Sequence, residues 1–284
     1  MAAIDVEHLR GWIGRTRTVE DTVTPRLVAE YRATFAPHLA AVPEGEAPLA
    51  LHWCLAPETP GADTLGPDGH AAKGGFLPPV PLPRRMWAGG EVEILQPLRV
   101  GDRVLRHETV ADVSVKEGRT GALCFVAVRH AYETGRGVAI RERQDIVYRE
   151  ASRAGAPAGA VTPVPAEAPD AAWEVAADPV LLFRYSAMTF NGHRFHYDRP
   201  YATGVEGYAG LVVHGPLQAS LLLNLAAGLL GRAPARFRYR GVAPMVDGGT
   251  FAVAGRRAGA GVRGWTAAAG SVRMESESES GPGA

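Results

Sequence analysis

Between Glu91 and Tyr148 the chain reads as four strand-like segments, near Glu91–Leu95, Arg103–Val115, Ala122–Tyr132 and Val138–Tyr148. Turn signals at Val100-Gly101-Asp102, Glu117-Gly118 and Thr134-Gly135 separate them. Connections this short join strands only antiparallel, since a parallel return needs a crossover of about a dozen residues or more. Val104, Val110 and Val113 on one ribbon, and Phe125 and Ala127 on the next, predict one buried face. A meander with one apolar face needs something to cover it.

Helices are the candidates, and they come in related pairs. Thr24-Pro25 is a capping residue followed by a proline suited to the first helical turn, and it opens a helix to Phe35 that aligns Leu27, Val28, Tyr31 and Phe35. Asp178-Pro179 repeats the signature ahead of Leu181, Leu182, Tyr185 and Met188, an offset of 154 residues. Gln96-Pro97-Leu98-Arg99-Val100-Gly101 has a counterpart in Ala243-Pro244-Met245-Val246-Asp247-Gly248 at an offset of 147. Two unrelated signals with nearly the same shift predict a duplicated α+β unit. The units are residues 1–150 and 173–274, with an Ala/Pro-rich linker at 151–172 and a disordered tail at 275–284. A strand is expected at Leu49–Leu55, a long Pro/Gly-rich loop at Pro57–Pro83, and strands at Ala235–Val242, Thr250–Arg257 and Val262–Arg273. A helix from Gly215 to Leu229 carries Ala219, Ser220, Ala226, Ala227 and Gly228, small enough for a sheet to wrap closely.

Composition narrows the partners. Lys+Arg 30 balances Asp+Glu 30, so no basic excess points to nucleic acid. The longest apolar run, Leu217–Leu230, is interrupted by Gln218, Ser220 and Asn224 and falls short of the roughly 20 residues that span a bilayer, so no membrane partner is expected. Cys54 and Cys124 lie far apart, with no CxxC spacing and no secretory signal, which makes a reducing cytoplasmic location the expectation.

Polar chemistry concentrates in Phe190-Asn-Gly-His-Arg-Phe-His-Tyr-Asp198 and Leu211-Val-Val-His-Gly-Pro-Leu217. His196 is the natural proton carrier near neutral pH. His193 and Asn191 are close enough in sequence to converge with it on an irregular loop. A carboxamide takes no proton, so Asn191 is left to orient a water or a carbonyl, unless it merely makes a turn with Gly192. His214-Gly215-Pro216 sets free backbone N–H groups and the positive end of a helix dipole at the same place, an arrangement suited to an oxyanion as well as to helix initiation. Arg84, Arg85 and Arg194 are candidates for CoA phosphates or a substrate carboxylate. No metal is expected, because HExxH, cysteine ligands and a clear second shell are missing around His193, His196 and His214. No GxGxxG, Walker or GxSxG pattern occurs, so no cofactor is expected. Phe76–Pro83 reads either as a polyproline ligand or as a loop covering the substrate.

At these residues, and at Gly75-Phe-Leu-Pro-Pro-Val-Pro-Leu-Pro-Arg-Arg-Met-Trp-Ala-Gly-Gly90, the chain resembles the MaoC-like hydratases and dehydratases of the hotdog superfamily. The resemblance covers most of Thr18 to Arg273 and is to the two-domain branch with a FAS1-like dehydratase N-terminal half. That branch includes mesaconyl-C4-CoA (3-methylfumaryl-CoA) hydratases, itaconyl-CoA hydratases and type 2 hydroxyacyl-thioester dehydratases. It implies a double hotdog, two antiparallel sheets each wrapped around a central helix, with catalysis confined to the C-terminal half. His196 matches the family's catalytic histidine. Asn191 stands where the wider family has an aspartate, and His193 where it has an asparagine. The implied activity is a hydro-lyase acting reversibly on a 2,3-enoyl-CoA, mesaconyl-C4-CoA or itaconyl-CoA above all. A 3-hydroxyacyl-CoA or acyl-carrier-protein dehydratase and a catalytically silent acyl-thioester binder are the alternatives. Hotdog units pair through their sheets, which leaves a monomer and a homodimer both open.

Overall fold

The computed structural model describes residues 4–118, 121–150 and 161–281. The first five strands are β1 (Thr16–Thr22), β2 (Arg84–Ile94), β3 (Arg103–Gly118), β4 (Gly121–Thr134) and β5 (Gly137–Arg149). The second five are β6 (Ala171–Ala177), β7 (Arg236–Gly241), β8 (Gly249–Ala258), β9 (Gly261–Ala268) and β10 (Ser271–Glu279). They form one ten-stranded sheet in the order β1-β3-β4-β5-β2-β7-β10-β9-β8-β6, and every ladder is antiparallel. The second half of that order is the first with each strand advanced by five and the direction reversed. Two copies of one unit therefore meet across a pseudo-dyad, with β2 against its own counterpart β7 and Glu91 opposite Arg238. The duplication read from the two offsets is thus visible in the topology. The two implied sheets join at this seam into a single one.

Four helices cover the sheet: α1 (Val6–Arg10), α2 (Pro25–Phe35), α3 (Pro179–Met188) and α4 (Gly215–Leu230). α2 and α3 are counterparts and start for the same local reason. Thr24 Oγ accepts from Leu27 N at 3.1 Å, and Asp178 Oδ1 from Val180 N at 2.7 Å and Leu181 N at 3.0 Å, so orphan amides at each start are satisfied by a side chain. α4 is the central helix. Every residue from Leu217 to Ala227 is buried, so its polar members need partners inside. Gln218 Oε1 accepts from Thr266 Oγ at 2.7 Å, and Asn224 bridges to the first half, accepting from Ala40 N at 3.1 Å and donating to Leu49 O at 3.3 Å. The sheet reaches the helix closely because Gly255 has no side chain: a Cβ there would stand 2.6 Å from Leu225 Cδ2.

Several expectations change. The central helix exists only in the second half; its place in the first is taken by 57–83, whose prolines cannot sustain a helix and whose regular structure is one short 3₁₀ turn, Ala62–Thr64. Leu49–Leu55 is not a strand but encloses a 3₁₀ turn, Leu51–Cys54, buried on all sides with Ala50 at φ 69°. On β4 the buried residues are Cys124, Val126, Val128 and Tyr132 together with the expected Ala127, while the expected Phe125 is only partly buried, because the run from Leu123 to Val128 is apolar at both parities and cannot reveal which faces in. Val262–Arg273 is two strands, folded back at Ala269 (φ 50°) and Gly270 (φ 73°). β1 and β6 were not anticipated; β6 begins inside the stretch assigned to the linker, of which 151–160 lie outside the described residues.

The tail is the clearest correction. Glu275–Glu279 belongs to β10, and Ser-Glu alternation is a period-two pattern. Ser276 and Ser278 face the interior, while Glu275 pairs with Arg240 and Glu279 with Arg238, each at 2.6 Å on β7. Residues 282–284 lie outside the described residues.

Candidate active site

After α3 the chain turns sharply at Phe190 (φ 50°), and Asn191 Oδ1 accepts from His193 N at 3.0 Å. That bond holds the turn, leaving the amide NH2 of Asn191 to meet a water or a carbonyl. A 3₁₀ turn, Arg194–His196, then carries the imidazole of His196 into the interior. His196 Nδ1 lies 2.7 Å from the carbonyl oxygen of Val212. A carbonyl only accepts, so Nδ1 bears the proton and Nε2 presents a lone pair. The ring stacks on His214, with centroids 3.5 Å apart and planes at 12°. His214 in turn contacts Ser186 Oγ through Nε2 at 2.8 Å.

Desolvation is the leading reason that both rings stay neutral: burial, then the neighbouring His214 and His193, hold His196 well below the usual histidine range, and burial pushes His214 down to about 3. A neutral imidazole with a free lone pair is the form that can take a proton from water.

His214 immediately precedes α4, and Gly215 is its first residue. The N–H groups of that first turn are unpaired within the helix and lie at the positive end of its dipole. The indole of Trp87 covers Gly215: a Cβ at this position would lie 2.8 Å from Trp87 Cε3. Trp87 is fixed from behind by Tyr239, stacked at 4.2 Å and 15°. Trp53 stands edge-on to both, its Nε1 donating to Glu142 Oε1 at 2.7 Å. The first half thus supplies an aromatic wall to a site whose histidines come from the second.

The loop 57–83 supplies more of that site. Arg194 N donates to Asp68 O at 2.9 Å, Arg194 to Pro67 O at 3.0 Å, and His70 lies against His193 with centroids 4.1 Å apart. Val80 and Leu82 are buried with Val110, Val126 and Tyr148, so the Pro-rich run is packed into its own protein and is not presented as a polyproline ligand. His193 stacks on Phe195 at 3.6 Å, and its Nε2 lies 3.4 Å from Glu206 Oε1. Glu206 forms a buried ion pair with Arg84.

The three arginine candidates separate. Arg84 is committed to Glu206 and to Val205 O, and Arg194 to Asp198 at 2.7 Å and to the ring of Tyr201. Arg85 has no carboxylate partner among the described residues and sits beside Tyr148 and His70. Burial, then the charge of Arg85, pushes His70 down to about 3. The ligand-type atoms of Asp68, His70 and His193 lie within 4.8 Å of one another, but Arg85 and Lys73 stand beside them, and positive charge opposes a divalent cation there. His196 and His214 are parallel rings whose lone pairs run side by side instead of converging on one ion. Sequence reasoning missed Glu206, His70 and the packing role of Trp87, since each reaches the site through contacts distant along the chain.

Buried neutral histidines make the fold acid-sensitive. His214, and His52 at about 4 in the first-half core, have folded-state pKa values below the ordinary 6.5, so the unfolded chain binds protons first as pH falls. Their contribution is complete above about pH 6.5 and is lost on descent toward the folded values. From pH 7 to 5 each costs on the order of 2 kcal/mol. Urea unfolding at the two pH values reads this directly; equal stability at both would contradict the neutral burial of these rings.

Comparison with known proteins places this geometry. The model of the hydroxyacyl-thioester dehydratase type 2 family matches residues 50–247, which include both the loop 57–83 and the histidine loop. The chain belongs to that family. It is similar to a mesaconyl-C(4)-CoA hydratase of Chloroflexus aurantiacus, 45% identical over 252 residues that cover 86% of this chain and 88% of the relative. Among solved structures, a MaoC-like dehydratase from Phytophthora capsici shares the fold with a TM-score of 0.67 at 20% identity, covering 99% of this chain and 100% of that one. A Mycobacterium tuberculosis protein described as a double hotdog aligns with a TM-score of 0.55 at 14% identity, covering 94% of this chain and 95% of that one. The family is one of hydro-lyases, and the double-hotdog architecture accords with the ten-stranded sheet described above. No helix among the described residues is long and apolar enough to cross a membrane.

Proposed function

We propose that the protein hydrates the 2,3 double bond of an enoyl-CoA thioester, reversibly, and that its acyl group carries a free carboxylate, as mesaconyl-C4-CoA does. The observation that carries the reaction type is the neutral His196 lone pair beside the open start of α4. His196 Nε2 removes a proton from water as the water oxygen bonds to the β-carbon. The π pair moves to the α-carbon and onto the thioester oxygen, where the Gly215 N–H and the helix dipole meet the charge. A proton then returns to the α-carbon, so one water is consumed and no other reactant is needed.

Arg85 supports the acyl group. It is the one arginine of the three candidates left without a carboxylate among the described residues, and it adjoins His70 in the loop 57–83. Arg85→Met is expected to lower kcat/KM for mesaconyl-C4-CoA about 30-fold or more, the scale of a lost charge-assisted hydrogen bond, with crotonyl-CoA affected less than threefold. Loss of enoyl absorbance reports both. Equal losses on both substrates would remove the carboxylate assignment and favour a 3-hydroxyacyl dehydratase acting on plain acyl chains; no turnover of any enoyl-CoA by the wild type would remove the hydratase reading itself.

Both cysteines are free and buried, in keeping with a reducing cytoplasm. His70, Arg85 and Trp87 come from one half and His193, His196 and Gly215 from the other. The groups on which this reading rests thus come from both halves of one chain.

A further inference from the structure

The wider family's carboxylate is missing at Asn191, and a different carboxylate occupies the site. Residues Tyr201–Val205 form a π-helical turn, closed by Glu206 N donating to Tyr201 O at 3.0 Å. Such wide turns are uncommon and recur at functional positions, because the extra residue re-aims the side chain that follows. Here the effect inverts the usual partition: Val205 is 61% exposed and Glu206 only 8%. Burying a glutamate while leaving its apolar neighbour in solvent costs free energy unless the carboxylate is used. Its two oxygens are divided, Oε1 facing His193 Nε2 at 3.4 Å and Oε2 paired with Arg84. A carboxylate accepts, which puts the proton of His193 on Nε2 and leaves the Nδ1 lone pair free. The His193 ring stands edge-on to His196, with centroids 5.7 Å apart.

The geometry points to Glu206 as a positioning residue that, through His193, takes over the work of the absent aspartate. This rests on the hydratase reading. Glu206 fixes the His193 tautomer and offsets the positive charge that appears on the imidazole when it holds a proton in transit between water and the α-carbon. Without a carboxylate, an imidazolium in this buried pocket would be uncompensated. The arrangement follows the logic of a carboxylate orienting a catalytic histidine, assembled from a different position in the chain. Arg84 completes it by holding Glu206 in place, which explains why Arg84 is not available to CoA.

The test is steady-state hydration of mesaconyl-C4-CoA by Glu206→Gln, Glu206→Asp, His193→Gln and the Glu206→Gln/His193→Gln double variant. Glu206→Gln keeps size and hydrogen bonding but removes the charge. It is expected to lower kcat about 10- to 100-fold, the usual effect of losing a partner that orients a reacting group, with KM changed less than threefold. The double variant is expected to be no slower than the slower single one, because both changes remove one unit. A kcat within twofold of wild type, a change confined to KM, or losses that multiply would each overturn the proposal while leaving the hydratase reading standing. An inactive wild type would overturn both. If Glu206→Gln does not fold, Glu206→Asp decides: it retains the charge and the Arg84 pair but stops one methylene short of His193. A threefold or greater loss of kcat at unchanged KM supports the role of Glu206, and full activity refutes it.

Discussion

His196→Gln is expected to lower kcat for hydration about 1,000-fold, within the range measured for removing a positioned general base, and to leave the fold in place. Glutamine is close to histidine in length and its amide can still donate to Val212 O, so the loop anchor at 2.7 Å survives. The basic lone pair does not. Glutamine also loses the stack on His214, which should cost stability on the scale of an ordinary core substitution, about 1 kcal/mol. Rapid-mixing kinetics with mesaconyl-C4-CoA and circular dichroism of the variant separate the two effects. Retention of more than a tenth of the wild-type kcat would remove His196 from the base role.

Gly215→Ala is the second large effect, and its cause is steric. The new methyl would meet Trp87 Cε3 at 2.8 Å and Cζ3 at 3.5 Å, and Trp87 cannot retreat because Tyr239 is stacked behind it at 4.2 Å. The start of α4 must shift instead. Displacing one preorganised oxyanion donor costs about 10²- to 10³-fold in kcat, so a loss near 100-fold is expected while α4 itself remains helical. A compensating change tells this mechanism apart from simple loss of stability: Trp87→Leu in the Gly215→Ala background makes room for the methyl and should return about tenfold of the activity. If Gly215→Ala alone is fully active, the thioester oxygen is held elsewhere.

Much of the fold was legible from short-range patterns. The caps at Thr24 and Asp178 start α2 and α3 as read, because capping is a matter of three or four consecutive residues. The meander β3–β5 follows from strand length and tight turns, whereas β2, expected beside β3, pairs with β5 and β7 instead, and α4 follows from a long apolar run opened by His-Gly-Pro. Failures cluster where local pattern is ambiguous or silent. β1 and β6 carry polar, small-residue sequence that gains strand structure only by pairing with β3 and β8. The Ser-Glu tail looks solvated until the arginines of β7 lie alongside it. Alternation in β4 was read at Phe125 and Ala127, of which only Ala127 is buried, because both parities are apolar.

The site divides along the same line. The sequence by itself determined the chemistry available: a histidine loop at Asn191, His193 and His196, a glycine opening a buried helix, and three candidate arginines, since these are properties of residue type and neighbour. Only tertiary structure decided how the groups act. Val212 O selects the tautomer of His196, Trp87 from the opposite half closes over Gly215, and Arg84 is withdrawn from substrate by Glu206 while Arg85 is left free. The physical reason is range. Proton placement and charge compensation depend on partners within about 3 Å, and in a sheet-wrapped fold those partners are brought together from 16, 122 and 128 positions away.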